Sequence, residues 1–142
     1  DVRFGEWYHD GNVDIVAAKV VFGELNEIRT EIAISSVLRH HPNIVGCCGI
    51  FPGVENITLL FPFYSGGCLT QIISDKNLHI SPARCLSLAL DIAEGMKYLH
   101  SLNILHRDLK CDNLLIDYLG RVGVCDFGLS RVVVSKMTMS VG

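Results

Sequence analysis

The sequence has few charged residues and no long apolar run. Charged residues make up 19% of the 142 residues, hydrophobic residues make up 49%, and the formal net charge is −3. Proteins that bind nucleic acids usually carry excess positive charge that neutralises phosphates, and this chain does not. No apolar stretch approaches the roughly 20 residues that a membrane-spanning helix needs, and the first residues lack the basic and apolar segments of a signal peptide. We therefore expect no nucleic-acid partner and no membrane segment in this chain.

The six cysteines lack the paired C-x-x-C spacing of a zinc site. Unpaired cysteines are typical of a reducing compartment, so we expect a cytoplasmic protein or the cytoplasmic portion of a larger one. Buried thiols that act as small apolar side chains are the simplest interpretation. A length of 142 residues fits one domain. The cysteines are Cys47, Cys48, Cys68, Cys85, Cys111 and Cys125.

The most specific pattern in the sequence is a pair of short polar motifs. The first is the run HRDLKCDN at residues 106–113, and the second is DFG at residues 126–128. Apolar, strand-like segments at residues 114–116 and 122–125 lie between them. In this order the two motifs resemble the catalytic loop and the metal-binding loop of the eukaryotic protein kinase family. The resemblance extends over nearly the whole chain.

The residue types in these motifs suit phosphoryl transfer, which needs a positioned hydroxyl, a held triphosphate and neutralised charge. Asp108 carries a carboxylate that can accept the hydroxyl proton. Lys110 places an ammonium group near the transferred phosphate. Asn113 and Asp126 offer the hard oxygen ligands that Mg²⁺ prefers. The alternative, a solvated loop of charged residues, requires all the motif positions to coincide by chance.

An upstream strand and helix supply the predicted phosphate contacts. The run Val-Ala-Ala-Lys that ends at Lys19 resembles the kinase strand whose lysine pairs with the α- and β-phosphates of ATP. The resemblance also implies that Ala17 of this run lines the ATP-binding cleft. The family orients this lysine with a glutamate from the next helix, and we assign that role to Glu31. Glu31 falls inside an apolar helical arc, where a carboxylate is costly unless it is paired. Glu27 and Glu24 lie at nearby angles and stay open as alternatives. The arc comprises Ile28, Ile32, Ile34 and Leu38.

Residues 61–64 resemble the hinge segment that meets adenine. Phe61 occupies the gatekeeper position and should close the pocket behind the adenine. Pro62 keeps the carbonyl group that the family offers to adenine, although proline has no N–H, and Tyr64 supplies the N–H donor. Gly5 resembles the last glycine of the glycine-rich loop, whose backbone N–H groups cover the phosphates. The cofactors that the resemblance implies are ATP and Mg²⁺.

The resemblance implies an α+β, protein-kinase-like two-lobed fold. We expect an antiparallel-sheet N-lobe with one helix, together with the hinge, over about residues 1–65, and the first part of a mainly helical C-lobe over residues 66–142. The sequence then corresponds to a single partial kinase domain that begins in the glycine-rich loop and ends in the activation loop. We predict strands at residues 6–9, 13–22, 44–51 and 57–63, with a turn at Asp10-Gly11. We predict one helix from Leu25 to about Arg39 and a second that begins after Ser81-Pro82. The second helix carries an apolar stripe of Leu86, Ala89, Ile92, Ala93, Met96 and Leu99.

The implied function is ATP-dependent phosphorylation of serine or threonine in a protein substrate, in signalling. Lys110 within its motif favours serine/threonine over tyrosine. The stretches at residues 126–131 and 41–45 resemble those of the tyrosine-kinase-like group of serine/threonine kinases. Two alternatives stay open: a catalytically incompetent nucleotide-binding fragment or pseudokinase-like scaffold, and a small-molecule phosphotransferase.

The resemblance also implies a regulatory role for Arg107. Its guanidinium group can pair with a phosphate added to the activation loop and so order that loop. Thr138 is the first candidate acceptor, followed by Ser140 and Ser135. Polar loop residues without such a role are the alternative.

Overall fold

The computed structural model describes residues 2–22, 25–38, 41–54 and 56–133, without the side chains of residues 25–28, 30 and 31. In chain order, a hairpin and a helix precede two further strands, and a mainly helical part follows. The elements are β1 (Val2–His9), β2 (Asn12–Val21), α1 (Leu25–Val37), β3 (Gly49–Pro52), β4 (Ile57–Pro62), α2 (Leu69–Ser74), α3 (Pro82–Ser101), β5 (Ile104–Leu105), a 3₁₀ turn (Cys111–Asn113), β6 (Leu114–Ile116), β7 (Val122–Val124) and β8 (Arg131–Val132).

The first half of the chain forms a four-stranded antiparallel sheet in the order β1-β2-β4-β3. The turn between β1 and β2 has Asp10 at φ 49° and Gly11 at φ 77°. Two consecutive positive φ angles are typical of the hairpin turns that match the twist of a sheet, so the predicted hairpin is confirmed. β4 lies inside the sheet and carries its most buried residue, Leu59, which is 0% exposed.

The predicted strand at residues 44–51 is wrong in its first half. Only Gly49–Pro52 joins the four-stranded sheet. The segment before it pairs with β7 instead: the Val45 N–H donates to the Val124 carbonyl at 2.9 Å, and the Val124 N–H donates to the Asn43 carbonyl at 2.9 Å. Ile44 and Val45 are buried there, so the apolar run reflects burial between two parts of the fold. A continuous apolar run does not reveal its partner strand.

α3 begins where the sequence predicts. The Ser81 hydroxyl accepts a hydrogen bond from the Arg84 N–H at 3.2 Å, and Pro82 is the first helical residue. The predicted inward stripe is only partly right. Leu86 is 62% exposed, and Ala89 and Ala93 are exposed as well. The residues of α3 that are buried are Leu88, Gly95 and Leu99.

Gly95 explains which face of α3 turns inward. A Cβ at Gly95 would lie 2.6 Å from the Asn43 carbonyl and 3.1 Å from Val124 Cγ2. At Gly95, which has no side chain, the helix therefore closely approaches the backbone of Asn43 and the Val124 side chain of β7. Both faces of α3 carry apolar residues, so the sequence pattern alone did not distinguish them. Among the described residues, no helix is both long enough and apolar enough to cross a membrane.

The buried core lies between α3 and the short strand pair β6–β7. Val122, Val124 and Leu99 of α3 are fully buried, and Phe127 is 2% exposed. This core places the catalytic-loop motif immediately before β6 and the DFG motif immediately after β7. The predicted strands at residues 114–116 and 122–125 are confirmed, although β7 ends at Val124. The elements α2, β5, β8 and the 3₁₀ turn have no counterpart among the sequence predictions.

Candidate active site

His106 holds the catalytic loop in place. Its ring is 2% exposed. The Nδ1 atom accepts a hydrogen bond from the Asp108 N–H at 3.3 Å, and Nε2 lies 2.9 Å from the Cys125 carbonyl. Because Nδ1 accepts and Nε2 faces an acceptor, the neutral ring carries its proton on Nε2. The ring edge also packs against Phe127, with centroids 5.5 Å apart. One side chain therefore ties the HRD segment to the strand end that precedes Asp126.

The carboxylate of Asp108 has two hydrogen-bond donors from its own loop. Oδ2 accepts from Lys110 Nζ at 2.8 Å and from Asn113 Nδ2 at 3.0 Å. The Asn113 amide also donates to the Asp108 main-chain carbonyl at 2.9 Å. The hydrogen bond from Lys110, with help from Asn113, lowers the pKa of Asp108 below its ordinary value. The same bond raises the pKa of Lys110, so both groups are charged at neutral pH.

Two residues of these loops have backbone angles that are unusual outside glycine. Arg107 has φ 69° and Asp126 has φ 63°. Such left-handed conformations are costly for residues with a Cβ, and they persist where the surrounding structure fixes them. The Cys125 N–H donates to the Asn113 carbonyl at 3.0 Å, and the buried Ser130 hydroxyl donates to the His106 carbonyl at 3.1 Å. These bonds fix the DFG segment against the catalytic loop.

Lys19 and Asp126 form a partly exposed ion pair between distant parts of the chain. Lys19 Nζ donates to Asp126 Oδ1 at 3.0 Å, although 107 positions separate the two residues in the sequence. Lys19 reaches this position from β2 of the sheet, where it pairs in register with Leu59 of β4. The strand lysine and the DFG aspartate thus lie at one site. The Glu31 and Glu27 side chains and the whole of Glu24 lie outside the described residues, so the predicted Lys19–Glu31 pair is not described.

A cleft of about 370 Å³ opens between the sheet and the catalytic loop. Seven of the predicted site residues line it: Ala17, Lys19, Phe61, Pro62, Tyr64, Asn113 and Asp126. Its other lining residues are Val2, Val45, Phe63, Leu115 and Cys125.

Four predicted site residues lie outside the cleft lining. Asp108, Lys110 and Arg107 are on the catalytic loop beside Asn113. Gly5 lies within β1, opposite Val16, and a Cβ there would meet nothing within 4 Å. The three candidate phosphate acceptors of the activation loop, Thr138, Ser140 and Ser135, lie outside the described residues.

Comparison with known proteins now identifies the family. The family described as "Protein kinase domain" matches residues 6–142. The chain belongs to the protein kinase family. Over 99% of its length it is 48% identical to a probable serine/threonine-protein kinase of Dictyostelium discoideum, and over 98% it is 40% identical to the serine/threonine-protein kinase CTR1 of Arabidopsis thaliana. It spans 10% and 18% of these two relatives.

The fold has a close counterpart among solved structures. The yeast RNA Pol II CTD kinase CTDK-1 complex contains a chain that matches with a TM-score of 0.77 and 31% identity, over 86% of this chain and 41% of that one. The predicted α+β kinase-like fold, with an antiparallel sheet and one helix in its first part, is therefore confirmed. The family resemblance inferred from the two polar motifs is confirmed as well.

The kinase cleft includes three apolar residues to which sequence reasoning gave no role, Val2, Val45 and Leu115. Together with Phe63 of the predicted hinge they form an apolar lining that suits a flat aromatic base. Leu115 had a sequence signal, because it lies two residues after Asn113, in the predicted strand at residues 114–116. Val45 had none, because its place depends on the pairing of its segment with β7.

Asn113 and Asp126 suit a magnesium ion. Both line the same cleft, and both carry oxygen atoms of the hard type that Mg²⁺ prefers. The hydrogen bonds of the Asn113 side chain to Asp108 use its nitrogen, so the amide oxygen is the end that a cation would take. Within the described part of the chain, no cluster of three or more His, Cys, Asp or Glu residues could hold a metal. Magnesium bound with nucleotide phosphates needs no such cluster.

Cys125 lies at the edge of the cleft, directly before Asp126. Burial, with a smaller contribution from the Asp126 charge, raises the pKa of its thiol to about 12. The thiolate is the reactive form of cysteine, so this thiol is nearly inert at neutral pH. That result agrees with its interpretation as an unreactive, partly buried thiol.

Proposed function

We propose that this chain carries the nucleotide-binding and catalytic part of an ATP-dependent protein serine/threonine kinase. The observation that carries the proposal is the Asp108 carboxylate, which is hydrogen-bonded to both Lys110 and Asn113 beside a cleft lined by Lys19 and Asp126. A proton acceptor, a phosphate-neutralising cation and metal-binding oxygens thus lie together, and phosphoryl transfer needs all three. The names of the similar proteins support serine and threonine as the acceptors.

The proposed mechanism assigns one step to each group. The acceptor hydroxyl binds at Asp108, whose ionised carboxylate takes the hydroxyl proton as the hydroxyl oxygen attacks the γ-phosphorus of ATP. The bond from the γ-phosphorus to the β–γ bridging oxygen breaks, and ADP is the leaving group. Lys110 hydrogen-bonds to the transferred phosphoryl group and offsets the charge that develops on its oxygens. Lys19 binds the α- and β-phosphates from the sheet side of the cleft. Mg²⁺, which Asn113 and Asp126 would hold, supplies charge neutralisation at the phosphates when it is bound.

The adenine end of the cleft lies at residues 61–64. Phe61 would close the rear of the pocket, the Pro62 carbonyl would accept from the adenine amino group, and the Tyr64 N–H would donate to the ring. Val45 and Leu115 would contact the faces of the base. The proposal also assigns roles to three further residues. Glu31 would pair with Lys19, Gly5 would cover the phosphates, and Arg107 would bind a phosphate on the activation loop.

Several finer assignments belong to the same proposal. They are membership of the tyrosine-kinase-like group, a role in signalling, a cytoplasmic location and a lobe boundary near residue 66.

The decisive experiment combines nucleotide binding with transfer, on the full-length protein. Thermal unfolding is measured with and without Mg·ATP for the wild type, Asp126→Ala and the exposed control Asp75→Ala. A ligand at 100 times its Kd stabilises the folded state by about 2.7 kcal/mol, so the midpoint should rise in the wild type and the control and stay unchanged in Asp126→Ala.

Transfer of labelled phosphate then separates the alternatives. With the wild type we expect labelled phosphate on serine or threonine of a protein substrate. With Asp108→Asn we expect no transfer, while Mg·ATP still raises the midpoint of thermal unfolding. Binding without transfer would support the scaffold function. Transfer to small hydroxyl compounds and not to proteins would support the small-molecule phosphotransferase.

A further inference from the structure

The side chain of Tyr64 lies directly against the backbone of Gly123 in β7. A Cβ at Gly123 would lie 2.7 Å from both Cε1 and the hydroxyl oxygen of Tyr64, and 2.8 Å from Val45 Cγ2. These distances are well inside van der Waals contact, and packed interiors tolerate no such overlap. The Tyr64 ring therefore occupies the space that any other residue at position 123 would need.

Gly123 joins the hinge to the two loops that carry the chemistry. In the β6–β7 pair it lies opposite Leu115, which lines the nucleotide cleft. The next residue, Val124, exchanges hydrogen bonds of 2.9 Å with residues 43 and 45. Asp126 follows two positions later. The contact between Tyr64 and Gly123 is thus a point where the hinge, the 43–45 segment and the strand that leads to Asp126 meet.

The hinge segment lines two cavities. One is the nucleotide cleft, and the other has a volume of about 600 Å³. Pro62 and Tyr64 line both cavities. Hydrogen bonds fix the chain at Phe63, whose N–H donates to the Ile15 carbonyl at 3.2 Å, and at Gly66, whose N–H donates to the Ile116 carbonyl at 2.9 Å. Between these two points the Tyr64 carbonyl accepts a hydrogen bond from the Gly67 N–H at 3.3 Å, and the Tyr64 ring adds a side-chain anchor.

We propose that Gly123 is a positioning residue for nucleotide binding: its missing side chain seats the Tyr64 ring and so fixes the hinge at the adenine end of the cleft. This inference rests on the proposed function, because it concerns the affinity of the same cleft for ATP. Gly123 itself would not touch the nucleotide, and it acts through Tyr64.

The surroundings of Gly123 indicate that a substitution there affects affinity more than folding. The nearest atoms that a Cβ would meet belong to the end of the Tyr64 side chain and to one methyl group of Val45, and none of them is a backbone atom. The Tyr64 ring is only partly buried and can rotate away. A displaced Tyr64 ring can enter the nucleotide cleft, where it blocks adenine, or the second cavity, where it no longer supports the hinge. The hydrogen bonds of Asp108 with Lys110 and Asn113 are not involved, so kcat should change little.

The test is a double-mutant cycle on the full-length protein, with Gly123→Ala, Tyr64→Ala and the double variant. Tyr64→Ala removes the ring and keeps the backbone N–H that is proposed to donate to adenine. Gly46→Ala is the matched control, because its Cβ would meet only the Leu38 carbonyl at 3.4 Å. The measurements are the equilibrium Kd for Mg·ATP, the KM for ATP and kcat.

We expect Gly123→Ala to raise Kd and KM about tenfold with kcat within about twofold. In the Tyr64→Ala background the same substitution should change Kd less than about twofold. If Gly123→Ala does not fold, recovery of folding and of binding in the double variant supports the proposal equally.

Other outcomes overturn it. The proposal fails if the Kd of Gly123→Ala matches that of the Gly46→Ala control. It also fails if Gly123→Ala changes Kd equally in both Tyr64 backgrounds, or if it prevents folding in both backgrounds. Wild-type binding of Mg·ATP without phosphate transfer would overturn the proposed function alone, because the Kd values still test Gly123. Absence of nucleotide binding by the wild type would overturn both.

Discussion

Replacement of His106 by alanine should weaken both the stability and the turnover of this protein. The ring accepts from the Asp108 N–H, donates to the Cys125 carbonyl and packs edge-on against Phe127. Alanine removes all three interactions at a site that is almost fully buried. The two backbone groups lose their partner, and the catalytic loop loses its tie to the strand that precedes Asp126.

The expected magnitude follows from these contacts. A buried polar group left without a partner costs roughly 1–3 kcal/mol. The site is only part-buried at Asp108 and Cys125, so the low end applies to each of the two groups. An aromatic edge contact contributes about 0.5–1.5 kcal/mol more. The sum is about 3 kcal/mol, which corresponds to a fall in Tm of about 6–12 °C for a domain of 150–250 residues.

The assay is thermal unfolding of the full-length protein. The transition to follow is the one whose midpoint temperature rises when Mg·ATP is added. His79→Ala is the control, because His79 is exposed and surface substitutions usually stay within about 0.5 kcal/mol. We also expect kcat to fall roughly ten- to hundredfold, since small displacements of a catalytic group are costly. A fall in Tm below about 2 °C, or an unchanged kcat, would refute the view that His106 positions Asp108.

Two further predictions follow from the shifted pKa values. The hydrogen bond from Lys110 lowers the pKa of Asp108, and Asp108 must be ionised to accept a proton, so Lys110→Met should move the acidic limb of the pH profile of kcat to higher pH. An unmoved limb would contradict the role of Asp108 as proton acceptor. With its pKa raised to about 12, Cys125 should react with iodoacetamide at pH 8 on the order of a thousandfold more slowly than a free thiol. Mass spectrometry of the labelled peptides measures this rate, and alkylation at the rate of a free thiol would exclude the buried environment.

Local sequence signals predicted the elements of this fold well where they carry their own geometry. Asp10-Gly11 predicted the β1–β2 turn because two positive φ angles favour such residues. Ser81-Pro82 predicted the start of α3 because a hydroxyl cap and a fixed φ act within one turn. The 44–51 segment was misassigned because burial, which produces its apolar run, does not say which strand lies alongside.

The candidate site shows the same division. The motif residues could be proposed from the sequence because phosphoryl transfer restricts which side chains can serve at short spacing. Val45 and Leu115 were not assigned to the cleft, because apolar residues in strands are common and their place depends on the surrounding packing. The partner of Lys19 was expected on α1, and the structure adds Asp126 as a direct contact.

The sequence by itself determined the family, the order of the main elements and the chemical groups of the site. It could do so because those features depend on residue identity over a few neighbouring positions. Only the tertiary structure decided that Lys19 meets Asp126, that Gly95 sets the inward face of α3, and that Tyr64 lies over Gly123. These contacts join segments far apart in the chain, and close packing selects among arrangements that local patterns leave equally acceptable.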